Sequence, residues 1–342
     1  MFSTDRMKSS RKIIVSGLVI LFLIVVLIFT RHHNARQPND FRVSSDREIV
    51  KVYLSKPGFQ TVELERKKSG LWTLNGQHGV NEISLRDLLQ TLDLLTARQP
   101  VSRTIVDEVN QNLDEEGIMV TVVEKKPLIN LFGTVRILPM RRTAIKFEIG
   151  QDASQGQGVY ARKAGSKEPY LIHLPGTEVP LSGFFINEFA YWFDPVVVDL
   201  KAAEIKRVEI EKYFPERESL IIDNQGEKWV LTANRQIVNS ERISSFSLNR
   251  FLNSFEELYF EKLLVGEDSI NYGEMMANTK FMQINVVDKS GKITTMDFFQ
   301  KKTEESQTDP DLFFIVVNNK TLATARYFVF NRIMKSNSYF LR

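Results

Sequence analysis

Residues 48–54 read E-I-V-K-V-Y-L, and residues 204–210 read E-I-K-R-V-E-I. Each run alternates apolar and polar residues, the pattern of a strand with one buried face. The chain continues alike after both runs. After Glu48 come a second alternating run, a Ser69-Gly70 turn, Trp72-Thr73-Leu74 and a helix opening at Ser84. After Glu204 come a Gln225-Gly226 turn, Trp229-Val230-Leu231 and a helix opening at Ser247. The offset is 156 at Glu48/Glu204 and Gly70/Gly226, 157 at Trp72/Trp229 and 163 at Ser84/Ser247.

At that last offset Leu85, Leu88, Leu89, Leu92 and Leu95 map onto Leu248, Phe251, Leu252, Phe255 and Leu258. The spacing i, i+3, i+4, i+7, i+10 makes one apolar helix face. With Ser84 and Ser247 as matching N-caps and drift confined to loops, the chain reads as an internal repeat. The expected fold is α+β. An N-terminal transmembrane helix precedes two tandem antiparallel β-meanders, each covered by an amphipathic helix. Trp72 and Trp229 are expected under the covering helices.

Within the first copy, Pro57-Gly58 marks a hairpin turn, and Pro100 ends the segment after the helix. A short helix is expected over 104–113. Strands are expected at 118–123, 144–149, 159–162 and 170–174. Their counterparts lie at 282–287, 293–299 and 312–317. An aromatic helix is expected to close each unit, over 184–193 and 323–334.

Residues 13–30 read I-I-V-S-G-L-V-I-L-F-L-I-V-V-L-I-F-T, fifteen of eighteen being Ile, Leu, Val or Phe. At ~0.4 kcal/mol per apolar residue, membrane insertion is favoured by roughly 6 kcal/mol. Eighteen helical residues span about 27 Å, enough for a bilayer core with Arg11, Lys12 and Arg31 at the headgroups. The run ends without a small-residue cleavage site, so the segment reads as an uncleaved signal anchor. Residues 1–12 form a cytoplasmic tail, 13–30 the span and 31–45 a polar tether. Residues 46–200 and 201–342 form the two repeat units on the extracytoplasmic side of the inner membrane.

Residues 1–45 carry seven Lys/Arg and two Asp, a charge of +5; the whole chain is +3, which leaves −2 for the remainder. The sequence pI of 8.8 therefore comes from the membrane flanks, not from a basic domain. That argues against a nucleic-acid partner. Cysteine is absent, which excludes disulfides and thiolate chemistry.

No catalytic, cofactor-binding or metal-binding residues are assigned. The four histidines, His32, His33, His78 and His173, have no zinc-ligand spacing. Gly150, Gly156 and Gly158 lack the Lys-Ser/Thr of a phosphate loop and read as a hairpin loop. The acidic runs Asp114-Glu115-Glu116 and Glu304, Glu305, Asp309, Asp311 lack calcium-loop order. They read as solvated loops. Arg141-Arg142 reads as a loop or strand edge, with a partner surface as the alternative. Trp72, Trp229 and Trp192 are the candidate binding or structural aromatics.

The order of an E-I strand, a Gly turn into W-x-L, a helix, a meander and an Asp194-Pro195 close resembles domain-of-unknown-function family 4340. Glu48-Ile49, Trp72-Thr73-Leu74, Glu204-Ile205 and Trp229-Val230-Leu231 carry the resemblance over most of 46–330. Members of that family are often encoded beside gliding-type ABC transporters. The resemblance thus implies an accessory envelope role and supplies no catalytic residues. The expectation is a non-enzymatic, membrane-anchored periplasmic scaffold or accessory subunit, with envelope proteins such as an ABC transporter as partners. An envelope polysaccharide-binding module is the alternative, and a cell-envelope enzyme the third reading.

Overall fold

The computed structural model describes residues 40–131, 135–153, 156–226, 228–266, 279–303 and 305–342, with the side chains of 127–139 excepted. The expected tail, the span at 13–30 and most of the tether lie outside the described residues. Among those described, no helix is long and apolar enough to cross a membrane.

The expected α+β class is corrected: the described chain is predominantly antiparallel β-sheet. The first sheet contains β1 (Glu48–Ser55), β2 (Val62–Arg66), β3 (Trp72–Leu74), β4 (His78–Gly79), β5 (Thr96–Pro100), β6 (Ile118–Leu131), β7 (Val135–Asp152), β8 (Val159–Lys163) and β9 (Pro169–His173). Its order is β4-β3-β2-β1-β6-β7-β8-β9-β5. After β10 (Val196–Val198), the second sheet contains β11 (Ile205–Lys212), β12 (Glu218–Asn224), β13 (Trp229–Ala233) and β14 (Gln236–Ile237). It continues after β15 (Leu258–Tyr259) with β16 (Lys262–Leu263), β17 (Lys280–Asp288), β18 (Ile293–Lys302), β19 (Thr308–Val317) and β20 (Thr321–Arg326). Its order, β14-β13-β12-β11-β17-β18-β19-β20-β16, repeats the first strand for strand. Neither is a simple meander, because β5 and β16 return to the far edge.

Local registers agree as well. Leu54 pairs with Val120 and Ile210 with Ile284, and the pairing slips between Ile49 and Lys51 and again between Ile205 and Arg207. The alternating burial of β1 and β11 sends Val50, Val52, Leu54, Val208 and Ile210 into the cores. Burying such a side chain is worth about 1.5–3 kcal/mol.

Helices are short. The covering helices are α1 (Glu82–Leu94) and, later in the chain, α4 (Ser245–Leu252). Between them lie α2 (Val106–Glu116) and the single turn α3 (Phe189–Trp192); α5 (Tyr327–Phe330) is a second single turn. The covering helices start earlier than expected. Asn81 Oδ1 accepts the N–H groups of Ile83 and Ser84 at 3.1 and 3.2 Å, and Ser244 Oγ accepts that of Ser247 at 3.3 Å. Ser84 and Ser247 are therefore donors in the first turn, and Asn81 and Ser244, also 163 apart, are the caps.

The expected closing helices are corrected too. Where a helix is expected over 184–193, the 3-10 turn Ser182–Phe184 ends at Phe184 and only the single turn α3 follows. Most of 323–334 is strand β20 followed by α5. The turn into β20 is Asn318-Asn319, both with positive φ (53° and 55°), the conformation that closes tight hairpins.

Backbone proximity groups the chain into two compact units, one up to Thr61 with Asp87–Asn187, the other Val62–Arg86 with Glu188–Arg342. Strands β2–β4 therefore group with the second.

Candidate functional site

The candidate aromatics occupy two kinds of place. Trp72 pairs with Arg66 and Trp229 with Asn224 at the closing ends of hairpins β2–β3 and β12–β13. Both are half-buried. The fully buried side chains on these strands are Leu74 and Leu231, two residues further along the same face. Trp229 packs against the margin of the second core. The two Trp thus sit half-exposed at the ends of their hairpins, with Leu74 and Leu231 as the fully buried residues of those strands.

Trp192 is different. It is fully buried, with its ring edge-on to Tyr191 at 5.1 Å. Its carbonyl accepts the N–H of the helix cap Asn81 at 2.9 Å. A side chain with no exposed surface cannot stack on a sugar.

Charged groups that carry no motif in the sequence form cross-strand clamps. Glu124, only 3% exposed, accepts Arg142 Nε at 2.7 Å and Arg47 at 3.4 Å. Arg142, expected in a loop or at a strand edge, is thus paired within the strands. Arg162 joins Glu148 on β7 to Asp114 on α2, and Asn110 accepts a further bond at 2.9 Å. Burial opposes the charge of Arg162, yet the bonds to Asp114 and Glu148 outweigh it and raise its pKa. In the second sheet Asp297, 7% exposed, accepts Lys280 at 2.8 Å and Gln283 at 2.6 Å. These bonds hold strands and a helix together.

The remaining motifs resolve similarly. The His78 ring lies 5.3 Å from Phe189 and 5.4 Å from Phe193, and His173 lies in β9. His32 and His33 lie outside the described residues. Gly158, with φ of +130°, lies where a Cβ would meet the Ile172 carbonyl at 2.1 Å, so this glycine permits close strand approach. Glu116 pairs with Lys56 and Asp309 with Lys301, both at 2.6 Å. Glu304 is outside the described residues. Among those described, no group of three or more His, Cys, Asp or Glu could hold a metal ion.

An open cleft of about 580 Å³ is lined by Glu209, Glu211, Lys212, Tyr213, Arg217 and Glu218, among others. Burial and a 2.9 Å hydrogen bond to Glu211 push the Tyr213 phenol up to about 12, so it stays protonated near neutrality. Lys212 faces Glu218 at 3.5 Å.

One pair of exposed apolar side chains matches at the 163 offset. Ile83 is 63% exposed and Phe246 is 75% exposed, each two residues after its helix cap.

The family described as Domain of unknown function (DUF4340) matches residues 72–274, more than half of the chain. The chain belongs to the DUF4340 family. The DUF4340 match begins at Trp72 in β3 and ends short of β17, so it includes Trp72, Trp192 and Trp229 and crosses from one sheet into the other. No curated protein and no solved structure matches this DUF4340 chain.

Proposed function

We propose that the chain is a non-enzymatic scaffold or accessory subunit of an envelope complex. It is anchored in the inner membrane by residues 13–30, with the bulk of the chain outside the cytoplasm. The observation that carries the docking role is the matched exposure of Ile83 and Phe246, one on each covering helix. The apolar run at 13–30 supports the anchor, and the family resemblance supports an ABC transporter as the partner. A reporter active only outside the cytoplasm, fused after Arg342, is expected to be active; a reporter active only inside, if active there, would overturn the location. Affinity purification from mild detergent is expected to recover a stable envelope partner with the parent chain. The Ile83→Asp/Phe246→Asp variant should lose it while unfolding at the same temperature. Recovery of the chain alone under several detergents would overturn the scaffold reading.

Envelope polysaccharide binding is the second reading, favoured by the half-exposed Trp72 and Trp229 on matching hairpins. It predicts a tryptophan fluorescence change on a glycan panel that Trp72→Phe or Trp229→Phe removes. No change across the panel would end it.

A further inference from the structure

The turn from β13 into β14 departs from its sister in one residue. Asn75 Oδ1 accepts the N–H of Glu63, and the Asn75 N–H donates back to the Glu63 carbonyl, each at 2.8 Å. Asn234 exchanges the same two bonds with Ser219, at 2.9 and 2.8 Å. The two asparagines are therefore equivalent, and both have positive φ, 47° and 49°. So does the residue after each. In the first copy it is Gly76, at 78°; in the second it is Arg235, at 67°. A residue with a Cβ is strained in that conformation and glycine is not. The turn itself favours glycine, so Arg235 points to a use for its side chain.

Arg235 and Arg217 both line the open cleft of about 580 Å³. Both are exposed, and among the described residues neither has a hydrogen bond or an ion pair. Arg217 only lies over the Tyr213 ring, 5.9 Å from its centroid. The three carboxylates of the cleft are engaged. Glu209 pairs with Arg207 at 2.7 Å, Glu211 accepts the Tyr213 hydroxyl at 2.9 Å, and Glu218 accepts the Asn337 N–H at 2.8 Å and faces Lys212. Two cations are left over. The first copy lacks this set: at the 156 offset Tyr53, Ser55, Pro57 and Thr61 stand where the second has Glu209, Glu211, Tyr213 and Arg217. Planar guanidiniums without partners suit oxyanions, which they bind through paired N–H groups. Three carboxylates nearby disfavour the double charge of a phosphate. An acidic peptide carries single charges, with N–H donors between them that suit the carboxylate oxygens. The Tyr213 ring, with Lys280 5.3 Å from its centroid as well as Arg217, is no open platform for a sugar. Phe214, the next residue, is 58% exposed and offers a peptide an apolar contact.

We propose that this cleft binds an acidic peptide segment of a partner protein, whose carboxylates are held by Arg217 and Arg235. Such a site deepens the scaffold role proposed above and rests on it.

The probe is a short rhodamine-labelled peptide of alternating Glu and Leu, with its Gln counterpart beside it. Anisotropy is read as the full chain is added in detergent. The expected result is saturable binding of the Glu peptide that weakens as salt rises, and none of the Gln peptide. Arg217→Ala and Arg235→Gly should each weaken binding about tenfold or more, and exposed Lys320→Ala should leave it unchanged. Arg235→Gly gives the turn the residue its sister already has, so this variant should melt no lower than the parent. A Glu peptide that does not bind, equal binding of the two peptides, or affinity unchanged in both Arg variants would overturn the site. So would displacement by inorganic phosphate well beyond that by chloride of equal ionic strength, which would make it a phosphate site. The affinity purification described above reads the scaffold separately. A partner recovered with a chain that ignores the Glu peptide means the cleft fails and the scaffold stands. Glu-peptide binding by a chain recovered alone means the scaffold fails and the chemistry of the cleft stands.

Discussion

Trp192 and Phe340 hold the same place in the two halves of the chain. The Trp192 carbonyl accepts the N–H of the helix cap Asn81, and the Phe340 carbonyl accepts that of the helix cap Ser244, each at 2.9 Å. The residue after each aromatic bridges to the residue before the cap, Phe193 to Val80 and Leu341 to Ile243. Both rings are fully buried. Each segment that ends a copy thus latches the start of that copy's covering helix. Truncation of a buried aromatic typically costs about 3–5 kcal/mol. Trp192→Ala and Phe340→Ala should both fall in that range, measured by thermal unfolding of the detergent-solubilised chain. A cost below about 1 kcal/mol for either would remove the latch.

The caps give a sharper contrast. Asn81→Ala and Ser244→Ala each lose a side-chain acceptor for a first-turn N–H and should cost ~1 kcal/mol. Ser84→Ala and Ser247→Ala, whose backbone N–H groups are the donors, should stay within about 0.5 kcal/mol. The reverse ranking would restore Ser84 and Ser247 as the helix starts.

How far the helices can be read from sequence is visible in these residues. The apolar spacing of Leu85, Leu88, Leu92 and Leu95 is local, and all four are buried. Local sequence puts the cap one turn late because Asn81 and Ser84 are both good capping types. What decides between them is a hydrogen bond to Trp192, more than a hundred residues away. Strand β20 reads as helix because the aromatics after it, from Tyr327 on, have helical spacing; the Asn318-Asn319 turn is the local signal against it. The clamps at Glu124, Arg162 and Asp297 are illegible for another reason. Cross-strand partners depend on register, and one sequence does not display register.

Equivalent positions on the covering helices should differ in cost. Leu252 is 2% exposed, but Leu89, its counterpart at 163, is only half-buried, while its neighbour Leu88 is fully buried. Leu88→Ala and Leu252→Ala should each cost about 2–5 kcal/mol, with Leu89→Ala clearly below both. Asn249→Ala, on the exposed face, should cost within about 0.5 kcal/mol. Equal costs at Leu88 and Leu89 would show the helix rotated from the position described.

Two carboxylates should respond oppositely to pH. Burial opposes the charge of Asp309, but the Lys301 bond and the N–H groups of Asp311 and Leu312 outweigh it and lower its pKa. A lowered carboxylate stabilises the fold above its unfolded pKa, and that stability is lost as pH falls through the folded value. Asp309→Asn should therefore lower Tm at neutral pH, with the gap closing below about pH 4. Asp194 is raised by burial and then by the charge of Glu82, against one N–H from Val196. Its stabilising contribution is present below the unfolded pKa and is lost as pH rises through the folded one. Asp194→Asn keeps an acceptor for Val196 and should raise Tm at neutral pH, the gain vanishing in acid. Melting curves across pH for both variants check the signs; parallel, pH-independent offsets would contradict them.

The docking role can be read directly in the cell. A photocrosslinking residue is placed at Ile83, at Phe246 or, as a control, at exposed Lys320 in the β19–β20 turn. Ile83 and Phe246 should both crosslink to the same membrane-bound envelope protein, and Lys320 to none. Silence at both helix positions, or equal crosslinking from Lys320, would contradict it.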